Sequence, residues 1–70
     1  MMPLTMARQG ESNLIKRIGG KEEIRRFLGT LGFVEGADVM VVSANGGNVI
    51  VNIKESRVAI SREMAMKIMI

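Results

Sequence analysis

Asp38-Val39-Met40-Val41-Val42-Ser43-Ala44-Asn45-Gly46-Gly47-Asn48-Val49-Ile50-Val51-Asn52-Ile53-Lys54 is the stretch that decides the fold. Two runs rich in β-branched residues, Asp38 to Ala44 and Asn48 to Lys54, flank Asn45-Gly46-Gly47. Asn-Gly between such runs is a strong hairpin signal, because both residues tolerate the positive φ of a tight turn. Val39 and Val41 on one strand, and Val49, Val51 and Ile53 on the other, alternate with less uniformly apolar partners. One face of the hairpin therefore turns toward a core, and that face sets the register.

Downstream, Lys54-Glu55-Ser56 reads as a second turn and Arg57 to Ile60 as a short strand. Ser61 then N-caps a single helical turn over about 62–66, and Ile68-Met69-Ile70 closes the chain as a last strand. Upstream, Ile24, Phe27, Leu28 and Leu31 recur at i, i+3, i+4 and i+7, an apolar stripe on a helix over about 21–31. Glu22 and Glu23 in its first turn complement the helix dipole, and Gly32 supplies the left-handed residue that stops it. Gly29 inside this helix costs about 1 kcal/mol relative to alanine. Either a close backbone contact needs it small or the helix frays before its end. Leu14 to Ile18 reads as a strand stopped by Gly19-Gly20, and Leu4 to Ala7 as a short strand or turn. Five or so short strands with one inserted helix make a mainly β domain. An open sheet of this size leaves edges that closure into a small barrel removes.

Seventy residues hold one domain, 1–70, and a chain this short buries only about 60% of the surface its unfolded form exposes. With no cysteine and no histidine, disulfides, thiolate nucleophiles and imidazole bases are excluded. An enzyme is not expected, for want of a nucleophile or a base of suitable pKa. Asp38 and six glutamates remain as hard-cation ligands, but they form no cluster in the sequence, so neither a metal site nor a cofactor is expected. The seven methionines are scattered and fit adaptable gap-fillers better than a copper(I) site. The start lacks an apolar signal-peptide core, and Val39 to Val42 is far too short to span a bilayer. A cytoplasmic protein without direct membrane insertion is expected.

Ten Lys+Arg against seven Asp+Glu give a net charge of +3 and a pI near 10.0. That balance makes a basic small-barrel nucleic-acid-binding module the alternative reading. Phe27 and Phe33 are the only aromatics, with no Tyr or Trp to build a stacking platform, and this disfavours nucleic acid as the partner.

The succession Arg25-Arg26-x-Leu28-x-x-Leu31-Gly32-Phe33-x-x-Gly36-x-x-Val39, followed by Arg57-Val58-Ala59-Ile60-Ser61-Arg62-Glu63-x-Ala65-x-x-Ile68-x-Ile70, resembles the ferrous iron transport protein A (FeoA) family. With Leu4, Gly10-Glu11, Ile15 and Ile18 upstream, the match spans nearly the whole chain. The resemblance implies a cytoplasmic SH3-like β-barrel with an inserted helix and no enzymatic activity of its own. It implies an accessory protein that docks on and modulates a membrane ferrous iron transporter, the B component, through either its cytoplasmic GTP-binding part or its membrane part. Many family members carry a proline-containing loop in the central hairpin, where Asn45-Gly46-Gly47 stands here.

Three groups are candidates for the partner surface. Leu28, Leu31, Gly32 and Phe33 form a corner at the helix end, although a core this small also needs every large side chain it can bury. Arg25 and Arg26 are placed to meet acidic groups on the transporter, or else form a solvated face paired with Glu22 and Glu23. Met64, Met66 and Met69 offer an apolar surface for a partner or a second copy. The sequence leaves the oligomeric state open.

Overall fold

A computed structural model describes residues 1–70. A 3-10 turn, Leu4–Met6, precedes strands β1 (Ser12–Leu14) and β2 (Arg17–Ile18) and helix α1 (Glu22–Thr30). Strands β3 (Asp38–Asn45), β4 (Asn48–Ile53) and β5 (Ser56–Ser61) follow, then helix α2 (Arg62–Ala65) and strand β6 (Ile68–Met69). The order β1-β3-β4-β5 makes one antiparallel sheet, and β2 and β6 make a second.

The central hairpin forms where its sequence places it. Asn45 pairs with Asn48, so the connection is Gly46-Gly47, and the positive φ falls on Gly46 (49°) rather than on Asn45, which stays in the strand. Val39 opposes Ile53 and Val41 opposes Val51, and all four are buried together with Val49. Between Val41 and Ser43 the register shifts by one, so that Ala44 comes to oppose Val49. Val42 is thus the extra residue of a β-bulge, which bends the strand and increases its twist, as curling a short sheet requires.

The run Leu14 to Ile18 is not one strand. Its first part belongs to β1, which pairs with β3, while Arg17 and Ile18 pair with β6 in the other sheet. Ile15 sits buried at the corner, donating its N–H to the Ala37 carbonyl (2.9 Å) and accepting from the Gly36 N–H (2.8 Å). Hence six strands rather than five. β6 is held from both sides: the Lys16 N–H donates to the Met69 carbonyl (2.8 Å), and Met2 and Ile70 exchange two backbone hydrogen bonds (2.9 and 2.8 Å). The segment Leu4 to Ala7 forms the 3-10 turn that seats Leu4 in the core.

Thirteen buried side chains, all hydrophobic, form one cluster, and no polar or charged residue is buried. Helix α1 lays Ile24, Leu28 and Leu31 on this cluster, but Phe27 is 47% exposed. Phe27 stands about 100° around the helix from Leu28, at the edge of the apolar stripe rather than within it. The helix ends in a Schellman motif. Gly32, at φ 104°, donates its N–H to the Gly29 carbonyl (3.0 Å), and the Phe33 N–H donates to the Leu28 carbonyl (3.0 Å). Leu28 and Phe33, the two side chains that accompany such a cap, are both buried. At α2 the expected cap is present, with Ser61 Oγ accepting from the Met64 N–H at 3.1 Å. No helix is long and apolar enough to cross a membrane.

Candidate docking surface

Between α1 and β2 lies an open depression of about 430 Å³. Gly29, Ile18 and Phe33 line it together with Arg17, Arg25, Val34 and Glu35. The Schellman turn brings Val34 and Glu35 to it directly after the helix, and the pairing of β2 with β6 fixes Arg17 opposite Met69. Gly29 has neither of the expected reasons to be small. The helix continues through Thr30, and a Cβ at Gly29 would meet no atom within 4 Å. The absent side chain instead leaves this depression open above the helix.

The charges around it are lopsided. The one salt bridge of the molecule joins Arg26 to Glu22 at 2.9 Å, with both side chains largely in solvent. Exposed i,i+4 pairs of this kind contribute roughly 0.3–0.5 kcal/mol. The expected pairing of Arg25 and Arg26 with Glu22 and Glu23 therefore holds for Arg26 and Glu22 alone. Successive helical residues point about 100° apart, and Arg25 faces the depression without a carboxylate within 4.0 Å. Arg17 is equally unpaired, and Glu35 is the only acidic residue of the lining.

The helix-end corner is largely interior. Leu28 and Phe33 are 0% and 1% exposed, while Leu31 and Gly32 are half-buried. Leu28 and Phe33 can shape a partner surface only from beneath. Gly32 is constrained by its cap, and a Cβ there would also stand 3.4 Å from both Ile53 Cγ1 and Lys54 Cδ. The three methionines occupy different settings. Met64 packs on the core from α2, Met66 is exposed just beyond that helix, and Met69 is half-buried on β6. Met64 also lines a smaller depression, of about 190 Å³, with Ile24 and Lys67. No three acidic side chains gather where a metal ion could be held. Arg17 and Val34 are not among the partner-surface candidates the sequence offers, Arg17 standing there only as one of the basic residues between Lys16 and Arg26. Their nearest signal was position, Arg17 next to the inward Ile18 of a strand and Val34 directly after the glycine that stops the helix.

Comparison with known proteins places the chain. The family model described as FeoA domain matches residues 2–70. A candidate Fe(2+) transport protein A of Methanocaldococcus jannaschii is 36% identical over 70 residues, covering 100% of this chain and 85% of that protein. The solution structure of the FeoA protein of Chlorobium tepidum superimposes with a TM-score of 0.88 at 26% identity, covering 97% of this chain and 67% of that one. The zinc-complexed crystal structure of Stenotrophomonas maltophilia FeoA, described as a prokaryotic SH3 domain protein, gives 0.84 at 24% identity over 99% of this chain and 88% of that one. The fold is accordingly a small SH3-like barrel, mainly β, with α1 inserted between its strands. A family match over nearly every residue and a relative that shares more than a third of its sequence put this chain in the FeoA family, which is associated with ferrous iron transport.

Proposed function

We propose that this protein is a non-enzymatic, cytoplasmic accessory module of ferrous iron uptake, which docks on a membrane ferrous iron transporter carrying a GTP-binding domain and modulates it. The observation that carries this reading is the FeoA match across residues 2–70. The residue inventory supports it: a chain without cysteine, histidine or a carboxylate cluster is better equipped to make contacts than to carry an ion or perform chemistry. The proposed contact residues are the exposed or half-exposed members of the candidate groups, Arg25, Arg26, Leu31, Gly32, Met64, Met66 and Met69, shaped from below by Leu28 and Phe33.

Amide NMR of the ¹⁵N-labelled protein tests it, with the soluble GTP-binding domain of the cognate transporter as titrant and a short RNA oligonucleotide as a second titrant, each at two salt concentrations. Saturable shifts on one face with the transporter domain are expected. Shifts with RNA alone, weakening steeply with salt, would replace this reading with nucleic-acid binding. If the GTP-binding domain is silent, the same titration with the detergent-solubilised whole transporter separates docking on the membrane part from no docking.

A further inference from the structure

We propose that the depression over Gly29 is a binding site for an acidic peptide segment of a partner protein, one that sets an apolar side chain against Ile18 and Val34 and carboxylates against Arg17 and Arg25. The inference rests on the docking reading only for the identity of the partner. Three features of this one place converge. The first is a glycine inside a nine-residue helix, unfavourable there and required by no contact within the chain, since a Cβ would meet nothing within 4 Å. A glycine in such a place lets another chain approach the helix backbone closely. The second is charge. Two arginines border the depression, neither has a carboxylate within 4.0 Å, and Glu35 is the sole acidic residue beside them. Guanidinium groups bind carboxylates through paired hydrogen bonds, so the excess selects an acidic ligand. The third is apolar surface: Val34 is 40% exposed here, and Ile18 is half-buried beside it.

An RNA backbone would also answer the two arginines, but it has no use for the aliphatic surface, and the site lacks any exposed aromatic ring on which a base could stack. Phe27, the exposed aromatic of α1, is not part of the lining.

The test uses the full chain, ¹⁵N-labelled, with two probes. One is an eight-residue amidated peptide of glutamate and leucine, alongside a control in which glutamine replaces every glutamate. The other is the GTP-binding domain of the transporter. The proposal expects shifts centred on Ile18, Gly29 and Val34 with the glutamate peptide, at least tenfold weaker binding of the glutamine control, and weakening with added salt. Gly29→Leu should abolish binding by filling the depression, and Gly29→Ala should weaken it while favouring the helix, so that loss of fold is not the cause. Arg17→Gln with Arg25→Gln should weaken binding of the glutamate peptide at least tenfold. If the transporter domain shifts the same residues and loses binding in Gly29→Leu, the peptide segment belongs to that domain. A response at these residues to the peptide with none to the transporter domain sustains the site and removes that domain as its source. Shifts elsewhere, or none, with both probes overturn the proposal, and transporter binding that survives in Gly29→Leu with no peptide response at these residues overturns it while leaving docking intact.

Discussion

Lys54 and Glu55 have φ angles of 47° and 64°, the left-handed region, although neither is glycine. They form the two-residue connection between Ile53 and Ser56, which pair directly, and a connection this short matches the twist of its strands when both central residues take positive φ. An L-residue pays roughly 1–2 kcal/mol for this conformation. Lys54 has a compensating contact, because its aliphatic stem lies over Gly32. Glu55 makes no side-chain hydrogen bond or ion pair and is exposed. Glu55→Gly should therefore stabilise the protein by about 0.5–1 kcal/mol, once the greater freedom of glycine in the unfolded chain is subtracted. Thermal denaturation should show a rise in Tm of roughly 2–8 °C; a fall would mean that the left-handed turn is not strained. At this scale, legibility followed local chemistry. The Ser61 cap and the Gly32 stop are side-chain or φ requirements met within a few residues, and both are present as expected. Lys-Glu has no turn signature of its own, so the turn was visible but its conformation was not.

Helix α1 shows what an element owes to its partners. Its stripe was legible because Ile24, Leu28 and Leu31 lie on one face, and Phe27 was misassigned because a short helix on a small barrel buries a narrow strip. The division of Leu14 to Ile18 between two sheets was not legible. The run is uniformly suited to a strand, and what breaks it is pairing with β3 on one side and β6 on the other, elements far along the chain. The bulge at Val42 was hidden for the same reason, since alternation over Val39 to Val42 does not reveal which valine is skipped. Gly29 is the element's clearest conflict with its own stability. Gly29→Ala should add about 1 kcal/mol through helix propensity alone, because the new methyl group enters open space. Circular dichroism melting should show Tm higher by roughly 4–8 °C. A lowered Tm would show that a contact within the chain requires the glycine, and would remove the reason for assigning its smallness to a partner.

On the scale of the whole molecule, the candidate surface is assembled from distant parts, Arg17 from β2 and Arg25 with Gly29 from α1, joined only when the barrel closes. Arg25 was legible as a candidate because helical spacing is local, whereas Arg17 became part of the surface through tertiary packing, which no periodicity encodes. Closure itself depends on a small reserve. A chain of this length has a stability of about 4–10 kcal/mol, and thirteen buried side chains must supply its hydrophobic share. Leu4 is completely buried, yet it comes from the 3-10 turn that follows the backbone exchange between Met2 and Ile70, so it tests whether the first residues belong to the cooperative unit. Leu4→Ala removes a fully enclosed side chain and should cost about 2–5 kcal/mol. That is a large part of the total, and a sizeable unfolded population at room temperature should follow. Urea denaturation should show a much lower midpoint with an unchanged slope, because the surface exposed on unfolding is nearly the same. Met6→Ala, two residues on but largely exposed, should leave the midpoint in place. Equal midpoints for the two variants would mean that the N-terminal turn separates from the barrel before the rest unfolds, and that β6 is held in place by β2 alone.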